Sequence, residues 1–336
     1  MILIDALYIN NSGGKILLDY LIEEIEQRKL KVHYLLDDRI VGKHPVISDN
    51  SVTFVRANLM KRHQFYKENK LNFTKILCFG NLPPTLKTKA VVYTYFHQKL
   101  FLEIPSNTHI RSKIIFKMKA AVLNLLKVKT DFWIVQTDAM KQLLIHKLQF
   151  GSAVQVLTIP FYPSLEIAKK TTNAKYNYVY VSAGTHHKNH IKLIDAYQIF
   201  YGSSDKKSEL HLTIGDEFGI LQDYIKEKVN LGFPIINHGF VNRNALKEIY
   251  SKASFMIYPS LSESFGLGIV EAIESGCEVI GADLPYMHEV CEPSLCFDPN
   301  NVDDIVAVLK SSVSGKFKPT KQKIHNQLKD LLQLLN

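Results

Sequence analysis

The chain has 336 residues, 46% of them hydrophobic, enough for two cores of ordinary domain size. Its 41 Lys+Arg against 32 Asp+Glu give a net charge of +9, and its four cysteines include no CxxC pair. A disulfide-stapled secreted scaffold is excluded, and no apolar run reaches the about 18 residues that a bilayer span needs.

The opening MILIDALYI lacks a basic leader and runs straight into Asn10, Asn11 and Gly13, so it reads as a first strand over 2–8 and not as an export signal. A helix is predicted over 15–28, and Asn11-Ser-Gly-Gly14 is the turn between them. Gly13 and Gly14 there would let a phosphate or sugar approach the backbone. The turn lacks the full G-x-G-x-x-G fingerprint, which leaves a nicotinamide or flavin site unsupported. Further β-branched runs predict strands over 31–35, 52–56, 75–79, 90–95, 132–136 and 154–158, alternating with helices as parallel α/β layers do. His97 follows the run VVYTYF, at the strand end where such sheets bind ligands. It either hydrogen-bonds a substrate hydroxyl or is a satisfied structural histidine.

The charge is uneven. Residues 1–165 hold 23 basic and 12 acidic side chains, whereas 166–336 hold 18 and 20. The densest basic stretch is 105–130, with Arg111, Lys113, Lys117, Lys119, Lys127 and Lys129 and no acid. Interleaved with apolar residues, it reads either as a helix that docks on an anionic membrane surface or as a core-facing helix with a solvated basic face. No aromatic-basic stacking pattern accompanies it, so nucleic acid is not expected as a partner.

Two prolines and a lysine-rich polar stretch place a linker at 161–176, between a first domain at 1–160 and a second at 177–318. Strands are predicted over 178–182, 210–214, 235–237, 255–258 and 278–281, with helices over 190–201, 218–230 and 244–251. Apolar residues at helical spacing in 320–335 predict a C-terminal helix, and the segment 319–336 is expected to pack back toward the first domain. Cys78, Cys277, Cys291 and Cys296 lie in apolar surroundings, as reduced thiols of a cytoplasmic protein do.

The second domain opens with Ser182-Ala-Gly-Thr-His-His-Lys-Asn189 between a strand and a helix. Lys188 there is either a diphosphate-neutralising group or a surface lysine. His186, His187 and His190 fit no standard metal spacing, and no metal is expected. The most informative stretch is PSLSESFGLGIVEAIESG at 259–276, which sets Glu263 in a loop and Glu271 about one turn inside the following helix. The free amides at that helix start, near Gly266 and Gly268, favour an anionic group, while a carboxylate suits hydroxyls.

Taken together, HGFV at 238–241, NALKEIYSKA at 244–253, the Glu263-x7-Glu271 stretch, Glu289 and CFDPNN at 296–301 resemble the donor domain of retaining family-four (group 1) glycosyltransferases. The resemblance implies a GT-B fold of two Rossmann-like doubly wound domains facing a cleft, the second binding a UDP- or GDP-sugar and the first the acceptor. It implies that Glu271 binds ribose hydroxyls and that Glu263 faces the transferred sugar. Phe265, Gly266 and Leu267 would supply amides to sugar and phosphate, Lys188 and Thr185 would hold the diphosphate, and backbone near Phe240 would contact the base. His97, Lys188 and Glu263 are then the expected catalytic groups, with no cofactor. An Arg that the family carries just before the phosphate lysine is replaced here by Ala183-Gly-Thr-His-His187. A lipid-linked saccharide acceptor at the inner face of the membrane is the expected partner. The rival readings are a nucleotide-sugar 2-epimerase of the same fold and a two-domain sugar-binding protein.

Overall fold

The computed structural model describes residues 1–104, 110–151, 154–165, 177–205 and 208–336. It divides into two compact units, Met1–Pro163 with His325–Asn336, and Ser164–Ile324. Of the predicted linker, 166–176 lie outside the described residues, as do 105–109 of the basic stretch.

The first unit is built on seven parallel strands, β1 (Ile2–Asp5), β2 (Val32–Asp37), β3 (Ser51–Val55), β4 (Lys75–Cys78), β5 (Val91–Tyr95), β6 (Phe132–Val135) and β7 (Gln155–Thr158), in the order β3-β2-β1-β4-β5-β6-β7. Helices α1 (Ser12–Gln27), α2 (Leu59–Asn69), α3 (Ile110–Leu126) and α4 (Asp138–Leu148) connect them. The strands are nearly continuous apolar runs because helices cover such sheets on both faces. Where the sequence predicts a strand to residue 8, β1 stops at Asp5 and Tyr8 takes a left-handed φ of 83°. The Asp5 side chain accepts from Arg62 Nε at 2.8 Å and from Tyr66 Oη at 2.6 Å. Gly13 and Gly14 lie inside the first turn of α1, not in the turn before it.

The second unit repeats the plan with β8 (Tyr178–Tyr180), β9 (Leu210–Leu212), β10 (Ile235–Asn237), β11 (Phe255–Tyr258), β12 (Glu278–Ala282) and a short strand that the sequence reading missed, β14 (Leu295–Phe297), in the order β10-β9-β8-β11-β12-β14. Its helices are α5 (His190–Gly202), α6 (Gly219–Asn230), α7 (Arg243–Ser251), α8 (Leu267–Glu274), α9 (Pro285–Val290) and α10 (Val302–Ser314). Both sheets therefore reverse strand order beside their first strand, at β1/β4 and at β8/β11. Ligands of doubly wound sheets bind outside the strand ends at that point.

The predicted C-terminal helix is shorter than 320–335. The pair β13 (Cys291–Glu292) and β15 (Lys321–Gln322) forms an antiparallel ladder, and α11 (Leu328–Leu335) starts only beyond it. Ile324 N is drawn to Val290 O, which keeps it off the helix. Within the first unit, α11 is held by Gln327 N to Pro160 O at 2.8 Å and by Lys75 Nζ to Leu334 O at 3.1 Å.

On α3 only Leu123 and Leu126 are buried. Ile110, Ile114, Met118 and Leu125 are exposed and fall on one stripe, with Lys117 beside it. The outer face of α3 is thus apolar as well as basic. No helix among the described residues is long and apolar enough to cross a membrane.

Candidate functional site

In the second unit, the loops after β8 and β11 are laced together at the strand-order reversal. Leu261 N donates to His187 O at 2.8 Å, and Tyr180 Oη donates to Lys188 O at 2.9 Å. This brings Lys188 Nζ to 2.5 Å from Glu263 Oε1, which also accepts from Tyr258 Oη at 2.9 Å. Lys188 further lies over the Tyr258 ring, 5.8 Å from its centroid. Burial alone would raise the Glu263 pKa, but the Lys188 ammonium and the hydroxyl donors hold it below the ordinary glutamate value. The loop conformation is fixed by Tyr286 Oη to Ser260 O at 2.7 Å and by Gly184, where a Cβ would sit 2.6 Å from Phe218 Cγ.

The helix after Glu263 begins without a side-chain cap. Its N-cap is Gly266, at a left-handed φ of 84° that a side chain would strain, and no acidic residue occupies the first turn. The amides of the first turn are thus not capped by a side chain, and the dipole favours an anion there. A Cβ on Gly268 would lie 3.2 Å from Met256 Cε, so glycine lets α8 settle close against the sheet. Phe265 is buried, Leu267 half-buried, and Thr185 Oγ1 lies 3.4 Å from His187 Nδ1. Phe240, after β10, stands 88% exposed.

Glu271 is buried in α8 and pairs with Arg243 Nη1 at 3.0 Å. Burial nevertheless pushes its pKa up to about 7, against the lowering effect of Arg243. The sequence reading missed Arg243 and Tyr258. A signal existed for Arg243, because a cation in the first turn of a helix opposes the dipole unless a nearby anion holds it. Nothing local marks Tyr258.

In the first unit, Gly14 and His97 come together: a Cβ on Gly14 would lie 3.2 Å from His97 Nε2, whereas one on Gly13 would meet nothing within 4 Å. Burial lowers the His97 pKa to about 4, so the imidazole is neutral near pH 7. Asn81, just after β4, accepts from His97 N at 2.7 Å and brings Nδ2 to 3.3 Å from Nε2. Asn81 is a further contact the sequence reading missed.

Among the described residues one group of potential metal ligands draws together, Asp283, His288 and Cys296, their ligand atoms within 4.8 Å of one another. It contains none of the three loop histidines and none of the expected site residues.

Residues 165–330 match the family model of glycosyl transferases group 1. The O-antigen chain mannosyltransferase RfbU of Salmonella typhimurium is 48% identical over 50 residues, 15% of this chain and 14% of that protein. The O-antigen chain mannosyltransferase B of Escherichia coli is 30% identical over 138 residues, 40% of this chain and 36% of that protein. The match thus spans well under half of either relative's length. Among solved structures, the sucrose-phosphate synthase of Thermosynechococcus elongatus superposes with a TM-score of 0.72 at 17% identity, covering 93% of this chain and 89% of that one. The Anabaena protein HepE, solved with UDP and glucose, gives 0.66 at 15%, covering 93% and 89%. At such identities these likenesses speak for the fold. Its fold is GT-B, and through residues 165–330 the chain belongs to the glycosyl transferases of group 1.

Proposed function

We propose that the protein is a retaining glycosyltransferase that moves a hexose-type sugar from a UDP- or GDP-sugar to a hydroxyl of a lipid-linked saccharide, in the assembly of a bacterial surface polysaccharide. The observation that carries this reading is the Lys188–Glu263 pair, at the strand-order reversal of the second unit and just ahead of the uncapped start of α8. Relatives named as O-antigen mannosyltransferases and a structural neighbour solved with UDP and glucose support it.

In this reading the donor diphosphate takes Lys188 from Glu263 and binds the amides of Phe265, Gly266 and Leu267, with Thr185 beside it. Glu263 is then free to accept from hydroxyls of the transferred sugar, Glu271 accepts from the ribose, and backbone near Phe240 meets the base. The bond from the anomeric carbon to the diphosphate breaks while the acceptor oxygen attacks from the same face. The acceptor proton passes to an oxygen of the departing phosphate. Lys188 and the helix amides offset the negative charge that builds on the leaving group, which removes the need for a metal ion. His97 and the Gly13–Gly14 turn of α1 serve the sugar and acceptor from the first unit. The exposed apolar stripe of α3, flanked by lysines, docks on anionic lipid and brings the protein to its lipid-linked acceptor.

A panel of UDP- and GDP-sugars tests this, read by thermal shift and by slow hydrolysis. One donor should stabilise the protein by mass action and release its nucleoside diphosphate. A panel in which no nucleotide-sugar raises the melting temperature would overturn the reading, and conversion of the donor to its epimer with no acceptor present would reassign the protein as an epimerase.

A further inference from the structure

We propose that Asn81 is a positioning residue that sets the tautomer of His97, holding the proton on the buried Nδ1 and leaving Nε2 as the lone-pair nitrogen. The inference rests on the reading of His97 as a group that meets sugar or acceptor.

Asn81 is tied to His97 at two points. Its Oδ1 accepts from His97 N at 2.7 Å, and its Nδ2 lies 3.3 Å from His97 Nε2. The first bond decides the second. With the amide oxygen committed to a backbone N–H, the side chain must turn its NH2 toward the ring, and an NH2 group can only donate. Nε2 must therefore carry the lone pair. A neutral imidazole has one N–H, so the proton sits on Nδ1. Nδ1 is buried and has no hydrogen-bond partner among the described residues. A buried donor without a partner is uncommon in folded proteins and calls for an explanation, of which a functional role is one.

The surroundings hold Asn81 in place. It is 6% exposed and sits at φ 66°, in the left-handed region that asparagine enters more readily than most side chains. Arg62, 1% exposed, donates to the carbonyls of the next two residues, Leu82 and Pro83, each at 2.8 Å. Arg62 is itself anchored by Asp5 at the end of β1. Gly80 permits the approach, since a Cβ there would lie 2.2 Å from Leu7 O. The loop after β4 is thus clamped to the end of β1, and the two-point hold on His97 follows from it. Burial keeps the ring uncharged near pH 7, so that it holds one N–H and one lone pair.

Long-range 15N–1H correlation spectra of histidine-labelled protein near pH 7 test this, with His97 assigned by the loss of its signals in His97→Gln. Wild type should show His97 with Nδ1 protonated and Nε2 unprotonated. Asn81→Asp keeps the acceptor for His97 N but turns a carboxylate oxygen toward Nε2, so the protonated and unprotonated signals should exchange places, or the ring become doubly protonated. Asn81→Gly, which tolerates the left-handed backbone, should lose the single tautomer. Protonated Nε2 in wild type, or an Asn81→Gly spectrum unchanged from wild type, overturns the proposal even if Asn81→Asp fails to fold. Because these spectra need no substrate, they stand apart from the transferase reading, which the donor panel tests.

Discussion

Lys188 and Glu263, 75 residues apart in sequence, meet at 2.5 Å with the Tyr258 hydroxyl as a third partner on the same carboxylate oxygen. Each neutralises the other, so both charges stay largely buried until a ligand competes for them. In the proposed reading a donor diphosphate would do this without leaving either group unpaired: the lysine would exchange a carboxylate for phosphate oxygens, and the glutamate an ammonium for sugar hydroxyls.

Lys188→Met is therefore expected to lower turnover by roughly a hundred- to a thousandfold at saturating donor, the scale for removing one group that stabilises transition-state charge. Steady-state kinetics at saturating donor and acceptor check this. The substitution also strands Glu263 without its cation. The Glu263 pKa is held below the glutamate value of 4.5, so the pair contributes stability above that value and loses it as pH falls through the folded pKa. Melting curves of wild type and Lys188→Met should converge toward the acid end and separate above pH 5. Parallel curves over the whole range would mean that the pair carries no linked stability.

Glu271 runs in the opposite direction. Its folded pKa is raised to about 7, so its contribution is fully present below the unfolded value near 4.5 and is lost as pH rises through 7. Glu271→Gln should melt higher than wild type at pH 8 and lose the pH dependence between about 4.5 and 7. Arg243→Gln removes the cation that holds the value down, and should move the wild-type slope to higher pH. For donor binding, Glu271→Ala should raise Kd about 10- to 100-fold, the range for hydrogen bonds to a charged group. Calorimetry with the donor that the panel selects reads this, and an unchanged Kd would remove Glu271 from the ribose.

The alternation of strands and helices and the strand–loop–helix frame around Glu263 were legible in the sequence because they are local. Alternating apolar runs, a proline after β11 and glycines at 266 and 268 mark them within a dozen residues of each other. The contacts that finish the site were not legible. Arg243 on Glu271, Asn81 on His97 and Arg62 on Asp5 join residues 28, 16 and 57 positions apart, and no periodicity records such a pairing. The three-residue strand Leu295–Phe297 also escaped, although the equally short Ile235–Asn237 did not. Ile324 misled, since its spacing from Leu328 is helical while its backbone is claimed by Val290.

The exposed stripe of α3 makes a separable prediction. Vesicles of about one-third anionic lipid should co-sediment the protein at low salt, and release it as salt screens the lysines. Lys117→Gln should weaken partitioning about fivefold, from about 1 kcal/mol per basic residue near the surface. Met118→Asp should weaken it more, by placing a charge on the apolar stripe. Neither should alter turnover on a soluble acceptor. Equal sedimentation with neutral vesicles would argue against an anionic surface as the partner.

Gly13 and Gly14 separate packing from function within one helical turn. Both lie in α1, where alanine is favoured over glycine by up to about 1 kcal/mol. At Gly13 a Cβ meets nothing within 4 Å, so Gly13→Ala should raise the melting temperature. At Gly14 a Cβ presses on His97 Nε2 at 3.2 Å, so the same substitution should gain less or lose stability and should disturb the His97 ring signals. The informative outcome is kinetic. If substrate approaches the backbone at the start of α1, the more stable Gly13→Ala protein will bind it more weakly, because the added methyl occupies the space that the glycine leaves open. A Gly13→Ala protein that is both more stable and unchanged in KM for donor and acceptor would show that no substrate comes close there, and would leave Gly14 with the single task of making room for His97.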